Sequence, residues 1–248
     1  MQRIALPSVQ SLLIQMLFNG QPLATGSAFL AIASTGPVLI TNRHNVTGRD
    51  QNTGKPISAT GGLPNQLSVL HNRAGQLGHW IARTEPLFAG DLQRWHEHPT
   101  LGAKADFVAL PLTELQGVAC HPHDVANVGP DIFVGPSDAV SVIGFPFGMT
   151  AGGAFGVWAT GHLASEPIVN FSDLPIQLID CRTRQGQSGS PVIAYRSGGM
   201  VAMANGDSVA FNGPVSRFIG IYSGRINAES DIGIVWRASA INELLQSL

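Results

Sequence analysis

The sequence predicts an all-β fold that ends in one helix. Short apolar or alternating runs recur along the 248 residues, and Gly, Pro and Asn separate them. Runs of this kind, bounded by turn residues, are typical of β-sandwiches and β-barrels. The strands do not alternate with long helical patterns, which disfavours a doubly wound α/β sheet.

The N-terminal half opens with a predicted β-hairpin. Its first strand runs from Leu12 to Phe18 and ends in Asn19-Gly20, two residues that both accept the positive φ of a tight hairpin turn. Ser27–Ala33 is the return strand, and Pro37–Thr41 is the third. Further strands are predicted at Gln66–His71, Gly78–Arg83 and Phe107–Leu110.

The C-terminal half repeats the pattern of short strands and then changes period. Strands are predicted at Ala139–Ile143, Phe155–His162, Ile176–Asp180, Pro191–Tyr195, Phe218–Tyr222 and Ile232–Val235. Ile241, Leu244, Leu245 and Leu248 then fall at the i, i+3, i+4, i+7 spacing of one helix face. We expect this helix to pack on the sheets, with Ser239 as its N-cap.

The middle of the chain is predicted to be a linker. Residues 116–135 are rich in Pro, His and Gly and contain few β-branched runs. They would join an N-terminal domain, residues 1–115, to a C-terminal domain, residues 136–248.

Composition and charge exclude some functions. Charged residues make up 12% of the chain, and the formal net charge is -2. Binding to nucleic acid needs clustered Lys and Arg, which the sequence lacks, so it is not expected as the main function. The N-terminal segment has a weak basic region and an interrupted apolar stretch, which predicts neither a signal peptide nor a membrane span and suggests the cytoplasm.

Cys120 and Cys181 are too few to form a disulfide framework. Two buried, reduced thiols or a single bridge both fit the sequence.

Three short segments carry residues suited to nucleophilic catalysis. Ser188 lies between two glycines in Gly186-Gln187-Ser188-Gly189-Ser190-Pro191, where the backbone can turn sharply and approach a ligand. A serine hydroxyl is a weak nucleophile and needs a neighbouring base. His44 follows an apolar strand, and Asp106 precedes one, so both belong at the rim of a core. A carboxylate in that place could orient an imidazole, although each segment alone could also be an ordinary turn or strand end.

The three residues occur in the order His, Asp, Ser, and the segments around them resemble the chymotrypsin/trypsin-like serine peptidases, in particular the bacterial and viral trypsin-like domains. The similar segments are Thr41–His44, Ala105–Leu110, Gly186–Pro191, Gly26–Phe29, Ile219–Gly224 and Gly144–Pro146. The resemblance spans roughly residues 12–248.

This resemblance implies two antiparallel β-barrels of chymotrypsin type with the active site between them, and hydrolysis of peptide bonds in protein or peptide substrates without a cofactor or metal. It implies that Ser188 is the nucleophile, His44 the base and Asp106 the orienting carboxylate. The backbone N–H groups of Gly186 and Ser188 would form the oxyanion hole, while Ser223 and Gly224 would hold the substrate backbone.

Two positions depart from the secreted members of the family. Gln187 replaces the aspartate that pairs with a new N-terminus during zymogen activation, so no such activation is expected. Arg182 stands where the base of the specificity pocket usually lies. If it points inward, it would favour an acidic side chain at the cleaved position, but an outward orientation fits the sequence equally well.

Four other interpretations were considered. All eight histidines precede Ser188, which excludes an α/β-hydrolase with Ser188 as nucleophile. A cysteine peptidase would need its cysteine in the Gly-x-x-Gly segment. The pairs His96/His98 and His121/His123 lack a fourth zinc ligand at a standard spacing. A catalytically silent binding or scaffolding protein is the main alternative to a peptidase. No oligomeric state is predicted.

Overall fold

The computed structural model describes residues 4–227 and 229–248, and its N-terminal half is a seven-stranded antiparallel sheet. This half contains nine strands, seven of which form the sheet: β1 (Ser11–Phe18), β2 (Gln21–Ala33), β3 (Gly36–Thr41), β4 (Gln66–Asn72), β5 (Trp80–Pro86), β6 (Phe88–Ala89), β7 (Leu92–Gln93), β8 (His96–Glu97) and β9 (Val108–Pro111). Their order in the sheet is β5-β4-β1-β2-β3-β9-β8, and β6 pairs separately with β7. Asn19 and Gly20 have φ values of 49° and 78°, which confirms the predicted hairpin turn.

The C-terminal half contains a closed six-stranded barrel. Its strands are β10 (Ala139–Gly144), β11 (Val157–Leu163), β12 (Ile176–Asp180), β13 (Pro191–Arg196), β16 (Val215–Arg225) and β17 (Ile232–Arg237), in the order β10-β11-β12-β17-β16-β13. The strands β14 (Gly199–Ala202) and β15 (Ser208–Phe211) form a separate hairpin, which the sequence analysis did not predict.

The all-β class is confirmed, but the two halves close differently. In the N-terminal sheet, backbone pairing does not join β5 to β8 within the described residues. Side chains link this region instead: the fully buried carboxylate of Glu85 on β5 accepts hydrogen bonds from the backbone N–H and the hydroxyl of Thr113, just beyond β9. Arg94 approaches the same carboxylate at 3.4 Å. The predicted domain boundaries remain a prediction.

Three short helical segments accompany the sheets: α1 (Pro7–Gln10), α2 (Arg43–Thr47) and a 3₁₀ turn at Pro146–Gly148. The C-terminal helix α3 (Ala238–Gln246) buries Ile241, Leu244 and Leu245, as its apolar spacing predicts. The predicted N-cap was wrong: Arg237 occupies the cap without a side-chain hydrogen bond, and Ser239 lies inside the helix. Strand β17 runs up to Arg237, and the helix begins directly after it at Ala238, one residue before Ser239.

A shared apolar core joins the two halves. Phe29 and Phe107 from the N-terminal sheet pack in one buried cluster with Phe218 and Trp236 from the barrel, and α3 covers this cluster. Each half also has its own buried cluster. Both cysteines are free thiols. Among the described residues, no helix is both long and apolar enough to cross a membrane.

Candidate active site

Asp106 and His44 are brought together by the edge where β3 meets β9. Strand β3 ends at Thr41, Asn42 is extended, and α2 then begins, which places His44 in its first turn. Nδ1 of His44 lies 2.7 Å from Oδ2 of Asp106, and the backbone N–H of His44 donates to Oδ1 at 3.0 Å. Asp106 is buried, and these two contacts hold its carboxylate in one orientation against the imidazole.

The pKa of His44 is raised above its ordinary value of 6.5. Burial lowers this pKa, but the charge of Asp106 and the hydrogen bond to it outweigh the burial, and Asp50 adds a smaller favourable charge. Asp106 therefore favours the protonated imidazole, the form that a general base reaches when it takes a proton.

Ser188 lies in the loop between β12 and β13, and two glycines shape this loop. Gly186 has a φ of 92° and Gly189 a φ of 90°, a region that disfavours other residues. A Cβ on Gly186 would lie 2.4 Å from the carbonyl oxygen of Phe145, and one on Gly189 would lie 2.0 Å from that of Ser27. The loop can take this path only with glycine at both positions.

Ser223 connects the serine to the His–Asp pair. The pairing of β16 with β17 shifts register between Tyr222 and Gly224, so Ser223 occupies a β-bulge, a feature that re-aims a side chain. Its hydroxyl donates to Oδ2 of Asp106. The hydroxyl of Ser188 donates to the carbonyl of Ser223 at 3.5 Å rather than to His44. Hydrogen bonds between catalytic groups are often long or misaligned without substrate.

Two backbone donors flank the Ser188 side chain. Among the described residues, the N–H groups of Gly186 and Ser188 have no hydrogen-bond partner. Both residues line the same cleft as His44 and Asp106. Free backbone donors beside a nucleophile can stabilise the oxyanion that forms when it attacks a carbonyl group.

The cleft has a volume of about 890 Å³ and is lined by both halves of the chain. Ser223, Gly224 and Arg225 form part of one wall, and Asp50, Asn52 and Lys104 lie on the opposite half.

Arg182 is exposed and does not line the cleft, whereas its neighbours Cys181 and Thr183 are buried. Residues next to one another in an extended segment point to opposite sides, which explains the outward position of Arg182. The inward residue, Thr183, is hydrogen-bonded to the hydroxyl of Tyr222. The placement of Arg182 therefore gives no support for a preference for acidic side chains.

Two buried polar residues, to which the sequence pattern assigned no role, support the Ser188 loop. Asn45, one residue after His44, donates to the carbonyl oxygen of Ser188 at 3.3 Å and to the hydroxyl of Thr41 at 3.0 Å. Ser27 on β2 also contacts the loop. The available signal was a polar residue inside or beside an apolar strand, where a buried side chain needs a partner.

No three His, Cys, Asp or Glu side chains within residues 4–227 and 229–248 form a group that could hold a metal ion. The two histidines of the pair His96/His98 differ in exposure: His96 is exposed on β8, whereas His98, beyond the end of that strand, is buried. His123 is buried, with two phenylalanine rings as neighbours.

Several solved structures share the fold. The Rv3671c protease from M. tuberculosis in its active form has 17% sequence identity and a TM-score of 0.51, with 96% of this chain and 80% of that chain covered. An inactive-form serine-to-alanine mutant of Rv3671c has 16% identity and a TM-score of 0.51, covering 97% and 85%. The serine endoprotease from Yersinia pestis has 16% identity and a TM-score of 0.52, covering 95% and 61%. At these identities the likeness concerns the fold.

The family model gives a more direct result. No curated protein sequence matches the chain. The model of the trypsin-like peptidase domain matches residues 26–203, which is more than half of the chain and includes His44, Asp106 and Ser188. The protein therefore belongs to the trypsin-like peptidase domain family.

Proposed function

We propose that the protein is a serine endopeptidase that hydrolyses peptide bonds through an acyl-enzyme on Ser188. The observation that carries the proposal is the hydrogen-bonded His44–Asp106 pair, 2.7 Å apart, which lines one cleft with Ser188. Asp106 raises the pKa of His44, so the imidazole can take the proton of the serine hydroxyl and later return it to the leaving amine.

In this mechanism the hydroxyl of Ser188 leaves the carbonyl of Ser223 and turns to His44 when a substrate enters. Oγ of Ser188 forms a bond to the carbonyl carbon, and its proton passes to Nε2 of His44. The resulting oxyanion would accept hydrogen bonds from the N–H groups of Gly186 and Ser188. Collapse of this intermediate breaks the peptide bond, and water then hydrolyses the acyl-enzyme by the same route.

An extended peptide is the substrate class that suits the cleft wall. Beyond Ile221, strand β16 pairs with β17 but not with β13 in the described chain. Its other edge at Ser223 and Gly224 can add a substrate segment as a further strand, which holds the substrate through its main chain.

A binding or scaffolding protein without activity is the second candidate. The observation that favours it is the 3.5 Å hydrogen bond between the hydroxyl of Ser188 and Ser223, which replaces the contact with His44. Such a protein would bind peptides in the cleft without cleaving them.

Labelling with a fluorophosphonate, followed by mass spectrometry, tests the proposal. We expect an adduct on Ser188, which His44→Ala should abolish and which the exposed control His79→Ala should retain. Hydrolysis of fluorescent casein should fall roughly 10⁴-fold or more in Ser188→Ala and in His44→Ala, and the double variant should be little worse. A folded wild-type protein that neither labels nor cleaves would favour the binding protein, and activity that survives in Ser188→Ala would exclude Ser188 as nucleophile.

A further inference from the structure

Ser27, in the middle of strand β2, is fully buried and bonds to the loop that carries Ser188. Its hydroxyl donates to the carbonyl oxygen of Gly186 at 2.8 Å, and its backbone N–H donates to the carbonyl oxygen of Ser188 at 2.9 Å. These are the carbonyl groups of the two residues whose N–H groups have no partner in the described part of the chain. One residue of the N-terminal sheet therefore fixes the peptide unit that follows each of the two proposed oxyanion donors.

The Ser27 hydroxyl is also an acceptor, and this second bond joins a neighbouring turn to the loop. The backbone N–H of Phe145, at the end of β10, donates to Oγ of Ser27 at 3.1 Å. Two residues further on, the N–H of Phe147 donates to the carbonyl oxygen of Gln185 at 2.6 Å. The peptide units before and after Gly186 are thus both tied to this turn, the first directly by Phe147 and the second through the hydroxyl of Ser27.

The peptide unit between Gln185 and Gly186 supplies one of the oxyanion donors. In a trans peptide the C=O and N–H groups point in opposite directions. Because Phe147 binds the carbonyl of Gln185, the N–H of Gly186 points away from the turn and toward the cleft. Rotation of this unit would remove the donor, and Gly186 offers little resistance to such rotation because it lacks a Cβ.

We infer that Ser27 is a positioning residue that keeps the Gly186 N–H in place for the oxyanion, by clamping the 145–148 turn and the Ser188 loop together through one hydroxyl. This inference rests on the proposed peptidase function. Ser27 does not touch the reacting atoms, so its effect would be on the rate of the chemical step and not on substrate binding or on the titration of His44.

Ser27→Ala removes the hydroxyl and leaves the Gly186 carbonyl and the Phe145 N–H without this partner. The chain offers a matched control in Ser11, another buried serine on the N-terminal sheet, whose hydroxyl donates to the backbone carbonyl of Ile143 on β10 at 2.7 Å. Both substitutions delete one buried hydroxyl that bonds to the C-terminal half, but only Ser27 reaches the oxyanion loop.

The experiment measures fluorophosphonate labelling of Ser188 over a range of pH, together with kcat and KM on a peptide chosen from casein cleavage products. We expect Ser27→Ala to lower the labelling rate and kcat about 10- to 100-fold, with KM within about twofold of wild type. The apparent pKa of labelling, set by His44, should not move. Ser11→Ala should label at the wild-type rate, and thermal melting reports the folding of each variant.

Ser27→Cys keeps the side-chain volume close to that of serine while weakening the hydrogen bond, and it replaces Ser27→Ala if that variant does not fold. Wild-type labelling rates in either folded Ser27 variant, or an equal loss of rate in Ser11→Ala, would overturn the inference and leave the peptidase proposal standing. No labelling of the wild-type protein would overturn the proposed function and this inference with it.

Discussion

The surroundings of His44 and of His123 differ in one respect that decides what each histidine can do. His123 is buried, and His44 is partly buried at the wall of the cleft. His123 lies between the rings of Phe29 and Phe218, with ring centres 5.4 Å and 5.1 Å away, and burial lowers its pKa to about 3. Burial also lowers the pKa of His44, but contact with Asp106 at 2.7 Å outweighs it, and the pKa of His44 is raised.

His71 is a buried histidine near a carboxylate that does not contact it. The charge of Glu85 acts on this buried histidine, yet burial dominates and lowers the pKa of His71 to about 4. The oxygens of Glu85 are already hydrogen-bonded to Thr113 and Glu114. The direct contact with Asp106 distinguishes His44 from His71 and His123, and it accounts for the opposite direction of the pKa shift.

The largest effect is expected from replacing Asp106, the carboxylate that contacts His44, with an uncharged amide. Asp106→Asn should reduce peptide hydrolysis roughly 10⁴-fold while the protein stays folded, because an amide neither stabilises the imidazolium nor fixes the required tautomer. Steady-state hydrolysis and thermal melting measure the two outcomes.

Glu97→Gln is the matched control for Asp106→Asn. Glu97 pairs with Arg43, next to His44 in the chain, without contacting the imidazole, so its loss should leave the rate near that of wild type. Comparable losses in the two variants would mean that negative charge in the region, and not the direct contact, is what matters.

A smaller effect is expected on stability in acid. The folded-state pKa of His123, about 3, lies below the ordinary 6.5, so its contribution to stability is complete above pH 6.5 and is lost as pH falls through the folded-state pKa. His123→Phe should remove about 2 kcal/mol of the stability lost between pH 7 and pH 5. Urea unfolding at both pH values measures the difference.

His44 contributes to stability with the opposite sign: its raised pKa adds stability below pH 6.5 that disappears as pH rises through the folded-state pKa.

His79→Phe, at an exposed position, is the control for His123→Phe and should keep the wild-type acid dependence of stability. An unchanged acid dependence in His123→Phe would contradict the view that this imidazole is kept neutral by burial.

The smallest effect is expected from removing the second donor to Asp106. Ser223→Ala deletes the hydroxyl that shares Oδ2 of Asp106 with His44, and a hydrogen bond to a charged group suggests a loss of rate of about tenfold. Ser216→Ala, at an exposed position on the same strand, should have no effect on the rate. A pH–rate profile of Ser223→Ala would show whether the apparent pKa of His44 rises when Asp106 loses this donor.

The features that local pattern encodes were predicted from the sequence, and those that depend on long-range pairing were not. Alternating apolar residues and Asn19-Gly20 indicate strands and a turn from neighbours in the chain, and the short segments around His44, Asp106 and Ser188 indicate the family. The orientation of Ser223 depends on the register of β16 against β17, and the contacts of Ser27 join residues far apart in the chain. The outward side of Arg182 and the cap of α3 depend on where β12 and β17 end.

The strand order of the barrel has a consequence for biosynthesis. Strand β17 lies between β12 and β16, so the barrel that carries Ser188 cannot close until translation has passed Arg237. During translation, His44 and Asp106 are synthesised well before β17, the strand that closes the barrel carrying Ser188. The order of synthesis thus delays assembly of the site in the nascent chain until both halves can meet.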